Sequence, residues 1–150
     1  MKKSTKTPFR AADDYGRSLI GFNVNLVVRE VAPVVRFLTE VLEVELVYDD
    51  PDLAILRHRG ASWMIHAEHT YDDRPMVRRT RAANQRGAGC ELRLYDIDPD
   101  AAEDRARAAG YEVLAESEDK PHGLRECYLL DPEGYVWVPG RALPPDEAPS

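Results

Sequence analysis

Cysteine is scarce: the 150-residue chain has two, Cys90 and Cys127. Each sits inside an apolar run, so the pair reads as core packing in a reducing compartment and excludes a disulfide scaffold. Neither shows the electropositive neighbourhood that a catalytic thiol needs. Long apolar runs are missing too. The basic start Met1-Lys2-Lys3 is not followed by an apolar stretch, and no run approaches membrane-spanning length. The expected compartment is the cytoplasm. The chain lacks a phosphate loop, GxSxG, HExxH and CxxC, so nucleophilic catalysis has no visible apparatus.

Positive charge is in deficit, with 20 bases against 27 acids and a net charge of −7. An acidic surface disfavours nucleic acid and anionic membrane as partners and favours a cationic ligand. The one basic stretch, Met76 to Arg86, has no interleaved aromatics for base stacking and no recognition helix. It reads as a linker lying over a cleft or a partner subunit. Hydrophobic content of 43% is globular, and the length fits one domain or two small modules.

Residues 1–17 are polar and without periodicity, which predicts a mobile arm, and 141–150 read as a disordered tail. Between them lies an internal repeat. Phe22 to Val28 alternates, with Phe22, Val24, Leu26 and Val28 on one face and Asn23, Asn25 and Val27 on the other. Pro33 then opens a helix whose apolar face is Val34, Phe37, Leu38 and Val41. Strands follow at Glu45 to Tyr48, Leu53 to Arg57 and Trp63 to Glu68. In the second half Cys90, Leu92 and Leu94 form the apolar face of a strand, with Gly89, Glu91 and Arg93 opposite. Asp98 caps a helix with Pro99 first, Ala102, Ala106 and Ala109 on one face, and Gly110 as terminator. Strands follow at Tyr111 to Leu114, Leu124 to Leu130 and Tyr135 to Val138. The last two are joined by Asp131-Pro132-Glu133-Gly134, a hairpin turn. Laying Pro99 on Pro33 puts Gly89 on Asn23, Glu91 on Asn25 and Ile97 on Val31. Two copies of βαβββ fit this order better than a parallel βαβ sheet.

These segments in this order, with Lys120-Pro121-His122-Gly123-Leu124-Arg125 leading into the last hairpin, resemble the glyoxalase/bleomycin-resistance/dioxygenase group, the vicinal oxygen chelate superfamily. The resemblance implies an α+β fold of two βαβββ modules, with curled mixed sheets around a cleft and helices on the convex side. It predicts one domain over 18–140, with modules at about 19–69 and 88–139 and a linker at 70–87. Glu43 replaces the Gly that usually ends the first helix, so that helix is expected to end without a left-handed cap.

The resemblance also assigns metal ligands to four places, which map to Asn23, to His66 or Met64, to Gly89 and to Val138. A catalytic divalent ion needs about three carboxylate or imidazole ligands. Of these residues only His66 qualifies, so no metal and no cofactor are expected. A rebuilt site would have to use His66, Glu68 and Glu91. Cleft-facing candidates for ligand binding are Asn23, Asn25, Met64, His66, Glu91, Arg93, His122, Val136 and Val138. Against this stand plainer roles: His66 and His69 as satisfied polar residues at a strand end, Glu91 and Arg93 as a cross-paired couple, His122 as a turn residue. Tyr71, Trp63 and Trp137 read as packing residues, with both tryptophans on the helix side.

Three functions compete. One is a metal-free homodimer, resembling bleomycin-resistance proteins, that sequesters a small drug or metabolite in a cleft between subunits. Its expected interface runs along Asn23 to Val27 and Glu91 to Leu94. The second is a metal-dependent enzyme like a glyoxalase or dioxygenase with a shifted ligand set. The third is a metal-independent isomerase or lyase using His66 and Glu91 as acid and base.

Overall fold

Strand alternation decides which face of each sheet is buried, and here it builds two separate mixed sheets. The computed structural model describes residues 12–71, 75–83 and 85–147. In the first module β1 (Asn25–Val28) leads to helix α2 (Val31–Glu40), then β2 (Glu45–Asp49), β3 (Leu53–His58) and β4 (Ala61–Ala67). In the second, β5 (Glu91–Tyr95) leads to α4 (Pro99–Ala108), then β6 (Glu112–Asp119), β7 (Leu124–Leu130) and β8 (Val136–Ala142). The sheet orders are β1-β4-β3-β2 and β5-β8-β7-β6, each with one parallel pair at the β1 or β5 edge. This is the expected pair of βαβββ modules. Between them run a 3-10 turn at Glu68–Tyr71 and a short helix α3 (Pro75–Arg81). Among the described residues no helix is long and apolar enough to cross a membrane.

Both helices form for local reasons. Asp98 accepts a hydrogen bond from the Asp100 amide and Pro99 presets the first turn, so α4 starts where the capping pattern places it. Helix α2 starts two residues before Pro33, at Val31; a proline within the first turn removes an amide that has no helical acceptor anyway. Glu43, expected to avoid the left-handed region, occupies it at φ 52°. The Val44 amide turns back to the Leu38 carbonyl at 3.2 Å, and this close return demands the reversal that glycine usually supplies.

Several local expectations are corrected by burial. Regular pairing of β1 begins only at Asn25, so Phe22 is 90% exposed and does not share the buried face of Leu26 and Val28. Cys90 precedes β5 and is exposed, whereas Cys127 is buried and its thiol pKa is pushed up to about 12 by burial. Ala109 is the exposed C-cap of α4 and packs nothing. The arm contains a helix, α1 (Ala12–Ser18), while its first eleven residues lie outside the described ones. Strand β8 runs past the expected boundary to Ala142, and 148–150 also lie outside.

The helix-bearing faces of the two sheets meet in one continuous core. Leu26, Val28 and Trp63 from the first module join Leu94, Leu129 and Trp137 from the second, with Phe37 of α2 and Ala102 and Ala106 of α4. Phe37 stacks edge-on against Tyr111 at 4.9 Å, and the Arg105 guanidinium donates to the Val41 carbonyl at 2.8 Å. Each fully buried large side chain here contributes about 1.5–3 kcal/mol. The candidate ligand residues sit on the opposite faces of the two sheets, where Val27, Ile55, Val138 and Glu126 are also buried.

Candidate functional site

On the outer face of the first sheet, pairing aligns Asn25 with Met64 and Val27 with His66. His66 Nδ1 lies 2.6 Å from Asn25 Oδ1, and Asn25 Nδ2 donates to the Tyr71 hydroxyl. The rings of His66 and Tyr71 meet edge-on at 5.7 Å. Tyr71 is therefore part of a polar cluster instead of a packing residue; the 3-10 turn after β4 swings the linker back over its own sheet. Burial holds the His66 pKa below its ordinary value, against an opposing pull from the Asp50 carboxylate. The imidazole is neutral at pH 7. With Asn25 Oδ1 as acceptor, the proton sits on Nδ1 and Nε2 keeps its lone pair. Burial of Asp50 works against its charge, but the Tyr48 hydroxyl and the Asp52 and Leu53 amides bring its pKa below the usual value.

On the outer face of the second sheet, Arg93 is held between two carboxylates. It donates to Glu91 at 2.8 Å and to Glu126, whose side chain is 2% exposed. Tyr128 OH also donates to Glu126 at 3.4 Å, and His122 Nε2 approaches it at 3.5 Å from an exposed turn. Val138 lies opposite Arg93 and Val136 opposite Glu91, giving this polar group an apolar flank. Sequence reasoning missed Glu126. The signal was present, because alternation along β7 puts Glu126 on the face of Leu124, Tyr128 and Leu130, the one charged residue on that face.

The two clusters stand on separate sheets. Among the described residues no hydrogen bond or ion pair joins the Asn25, His66, Tyr71 group to the Glu91, Arg93, Glu126, His122 group. The rebuilt ligand set is also not assembled: Glu68 is taken by Arg86 at 2.6 Å and Glu91 by Arg93. His69 pairs with Asp52 on the exposed surface at 2.7 Å, in the plainer role.

A family model for the glyoxalase/bleomycin resistance protein/dioxygenase superfamily matches residues 22–138, most of the chain. The chain belongs to this superfamily. A glyoxalase-related enzyme from Fulvimarina pelagi superposes with a TM-score of 0.65 at 19% identity, over 83% of this chain and 88% of its own. A glyoxalase/bleomycin resistance protein/dioxygenase from Nocardioides gives 0.61 at 21%, over 92% and 95%. TioX from Micromonospora sp. ML1 gives 0.59 at 25%, over 81% and 97%. No curated protein matches the chain.

Strand register gives His66 the place in the first module that Val138 has in the second. Val138, the fourth position, pairs with Arg93, four residues past Gly89. His66 pairs with Val27, four residues past Asn23, so His66 and not Met64 is its counterpart. The other three positions do not fit a metal. Asn23 Nδ2 is engaged by the Ser62 carbonyl at 3.1 Å, Gly89 has no side chain, and Val138 is buried. No group of three or more His, Cys, Asp or Glu among the described residues is placed to hold an ion.

Proposed function

We propose that this chain is a metal-free small-molecule-binding protein, holding a drug or metabolite in a cleft completed by a second copy of itself. The observation that carries the reading is the donor set: one imidazole, one engaged amide, a glycine and a buried valine at the four superfamily metal positions. What remains is typical of a binding pocket, namely apolar Met64, Val136 and Val138 for contact area and a few fixed polar groups for orientation. The two polar clusters stand on separate sheets, and a two-fold partner would bring a first-module face against a second-module face. Strands β1 and β5 each end a sheet, and an unpaired strand edge favours the same arrangement because it invites pairing.

A second reading, a metal-independent lyase or isomerase, is favoured by one feature. His66 is neutral, oriented by Asn25, and retains a free lone pair suited to proton abstraction.

Three measurements test the proposal on native protein purified without chelators. Metal analysis should find transition metal well below one equivalent, and sedimentation at micromolar concentration should find a dimer. A thermal-shift screen of cationic antibiotics and small metabolites should yield a stabilising ligand that is not turned over. Stoichiometric zinc, nickel, manganese or iron that is lost in His66→Ala would overturn it in favour of a metal enzyme. A stable monomer would sink the shared cleft. Turnover abolished by His66→Gln would select the second reading.

A further inference from the structure

Of the exposed large apolar side chains among the described residues, Leu19, Ile20 and Phe22 stand together between α1 and β1, with Ile20 92% and Phe22 90% exposed. The segment is pinned at both ends. The Leu19 amide donates to the Gly16 carbonyl at 3.3 Å, and Asn23 Nδ2 donates to the Ser62 carbonyl at 3.1 Å. Between them Gly21 takes a left-handed φ of 73°, a turn that glycine makes without steric cost. The backbone thus holds Ile20 and Phe22 out from their own subunit.

Beside Phe22, the β5 edge, the segment before β1 and the start of β4 leave an open groove of about 330 Å3. Trp63, Trp137, Leu92 and Leu94 give it apolar walls, and its charged lining residues, Glu91 and Arg93, pair with each other at 2.8 Å. Such a groove suits an apolar side chain. A cavity of about 150 Å3 holds one benzene ring, so the volume fits a phenyl ring with an aliphatic side chain beside it. Phe22 stands among the lining residues, so the knob and the hole are adjacent parts of one patch. A patch of that kind is self-complementary. That is the condition for a two-fold interface, in which residue i of one copy meets residue j of the other and j meets i.

We propose that Phe22 and Ile20 of each copy plug the seam groove of a second copy of this chain. The proposal rests on the dimer proposed above and names the side chains that anchor it. The groove is continuous with the strand edges β1 and β5 on which that dimer is expected to pair. Aromatic side chains seated in a desolvated pocket near the centre of an interface carry much of its binding energy. Glu91 and Arg93 belong both to the groove and to the polar group around Glu126. The partner's Phe22 therefore also supplies an apolar wall to the binding cleft, which is incomplete in a lone subunit.

The test measures dimer dissociation by sedimentation equilibrium on the full-length chain, comparing wild type with Phe22→Ala, Ile20→Ala and Leu114→Ala. Leu114 is also exposed but lies on β6, at the far edge of the second sheet. Phe22→Ala should weaken the dimer on the order of thirtyfold or more, the scale of losing an interface anchor. Ile20→Ala should weaken it less, and Leu114→Ala should leave it unchanged. Far-UV circular dichroism should be the same for all, because Phe22 packs little against its own subunit. In mixed dimers of 13C-labelled and unlabelled chains, an isotope-filtered Overhauser spectrum should connect the Phe22 ring of one copy to Trp63 and Leu92 of the other. An unchanged dissociation constant in Phe22→Ala would overturn the plug and leave the shared cleft standing, whereas a monomeric wild type at micromolar concentration would overturn both. Equal weakening by Leu114→Ala would also refute the plug, since apolar surface in general would then be the cause. So would contacts of the Phe22 ring to Trp63 within one chain that have no counterpart between chains, because the chain would then fill its own groove.

Discussion

The indole rings of Trp63 and Trp137, one from each module, lie 5.7 Å apart between centroids at an interplanar angle of 44°. Both are buried in the shared core, so neither module keeps its own core when the other unfolds. Denaturant unfolding is expected to be one transition, the same by circular dichroism and by tryptophan fluorescence. Trp137→Ala should lower stability by about 3–5 kcal/mol, the usual cost of emptying a buried aromatic site. Two separated transitions in the wild type would mean that the modules are independent.

Arg86 closes the same seam electrostatically. Its side chain is 2% exposed and pairs with Glu133 at 2.9 Å and with Glu68 at 2.6 Å, while one Nη donates to the Val27 carbonyl. Arg86→Met would leave Glu133, 6% exposed, with only the longer contact to Arg29. A loss of about 3 kcal/mol is expected, because removing one partner strands a buried charge. Adding Glu133→Gln should restore much of it. If the double variant is no more stable than the single one in urea melts, the loss comes from packing and not from charge.

His66 predicts a pH dependence. Its folded pKa lies below the ordinary value, so in the interval between them the unfolded chain binds a proton that the folded chain refuses. Stability is complete above the unfolded value and falls as pH drops toward the folded one. Urea midpoints from about pH 7 to about pH 5 should fall more for the wild type than for His66→Gln, which cannot titrate there. Equal falls would show that His66 is exposed to water and titrates normally.

Glu43 holds a left-handed φ of 52° at the end of α2 with only an exposed ion pair to Arg105 at 3.4 Å in return. A non-glycine residue costs about 1–2 kcal/mol in that conformation, and a surface ion pair returns about 0–1 kcal/mol. Glu43→Gly should therefore raise the melting temperature by a few degrees, corresponding to about 0.5–1 kcal/mol after the added chain entropy of glycine. A lower melting temperature would mean that the Arg105 contact outweighs the strain.

Element order was legible because each signal is local. The Asp98-Pro99 start and Gly110 stop of α4 need only neighbouring residues, and Asp131 organises its own hairpin by accepting from the Glu133 and Tyr135 amides at 2.8 and 3.0 Å. The errors arose where a distant contact overrode the pattern. Phe22 continues the alternation of β1 but lies beyond its paired length, and Cys90 lies just before β5. Tyr71 resembles a core aromatic in sequence, yet the turn after β4 carries it to Asn25 and His66.

The sequence by itself determined the two βαβββ units, the helix-side placement of both tryptophans, and the poor donor types of Asn23, Gly89 and Val138, which the resemblance maps to metal positions. Side-chain alternation and turn chemistry act over a few residues, and residue identity at a mapped place needs no coordinates. Only the tertiary structure decided that the helix-bearing faces meet in one core, leaving the His66 and Glu126 clusters on the opposite faces of separate sheets. Alternation says that a strand has an inner and an outer face; which surface covers each depends on contacts between residues far apart in the chain. The same holds for the buried Trp63 indole N–H, without a partner among the described residues, and the satisfied Trp137 indole, which differ because Asp131 bonds only one of them.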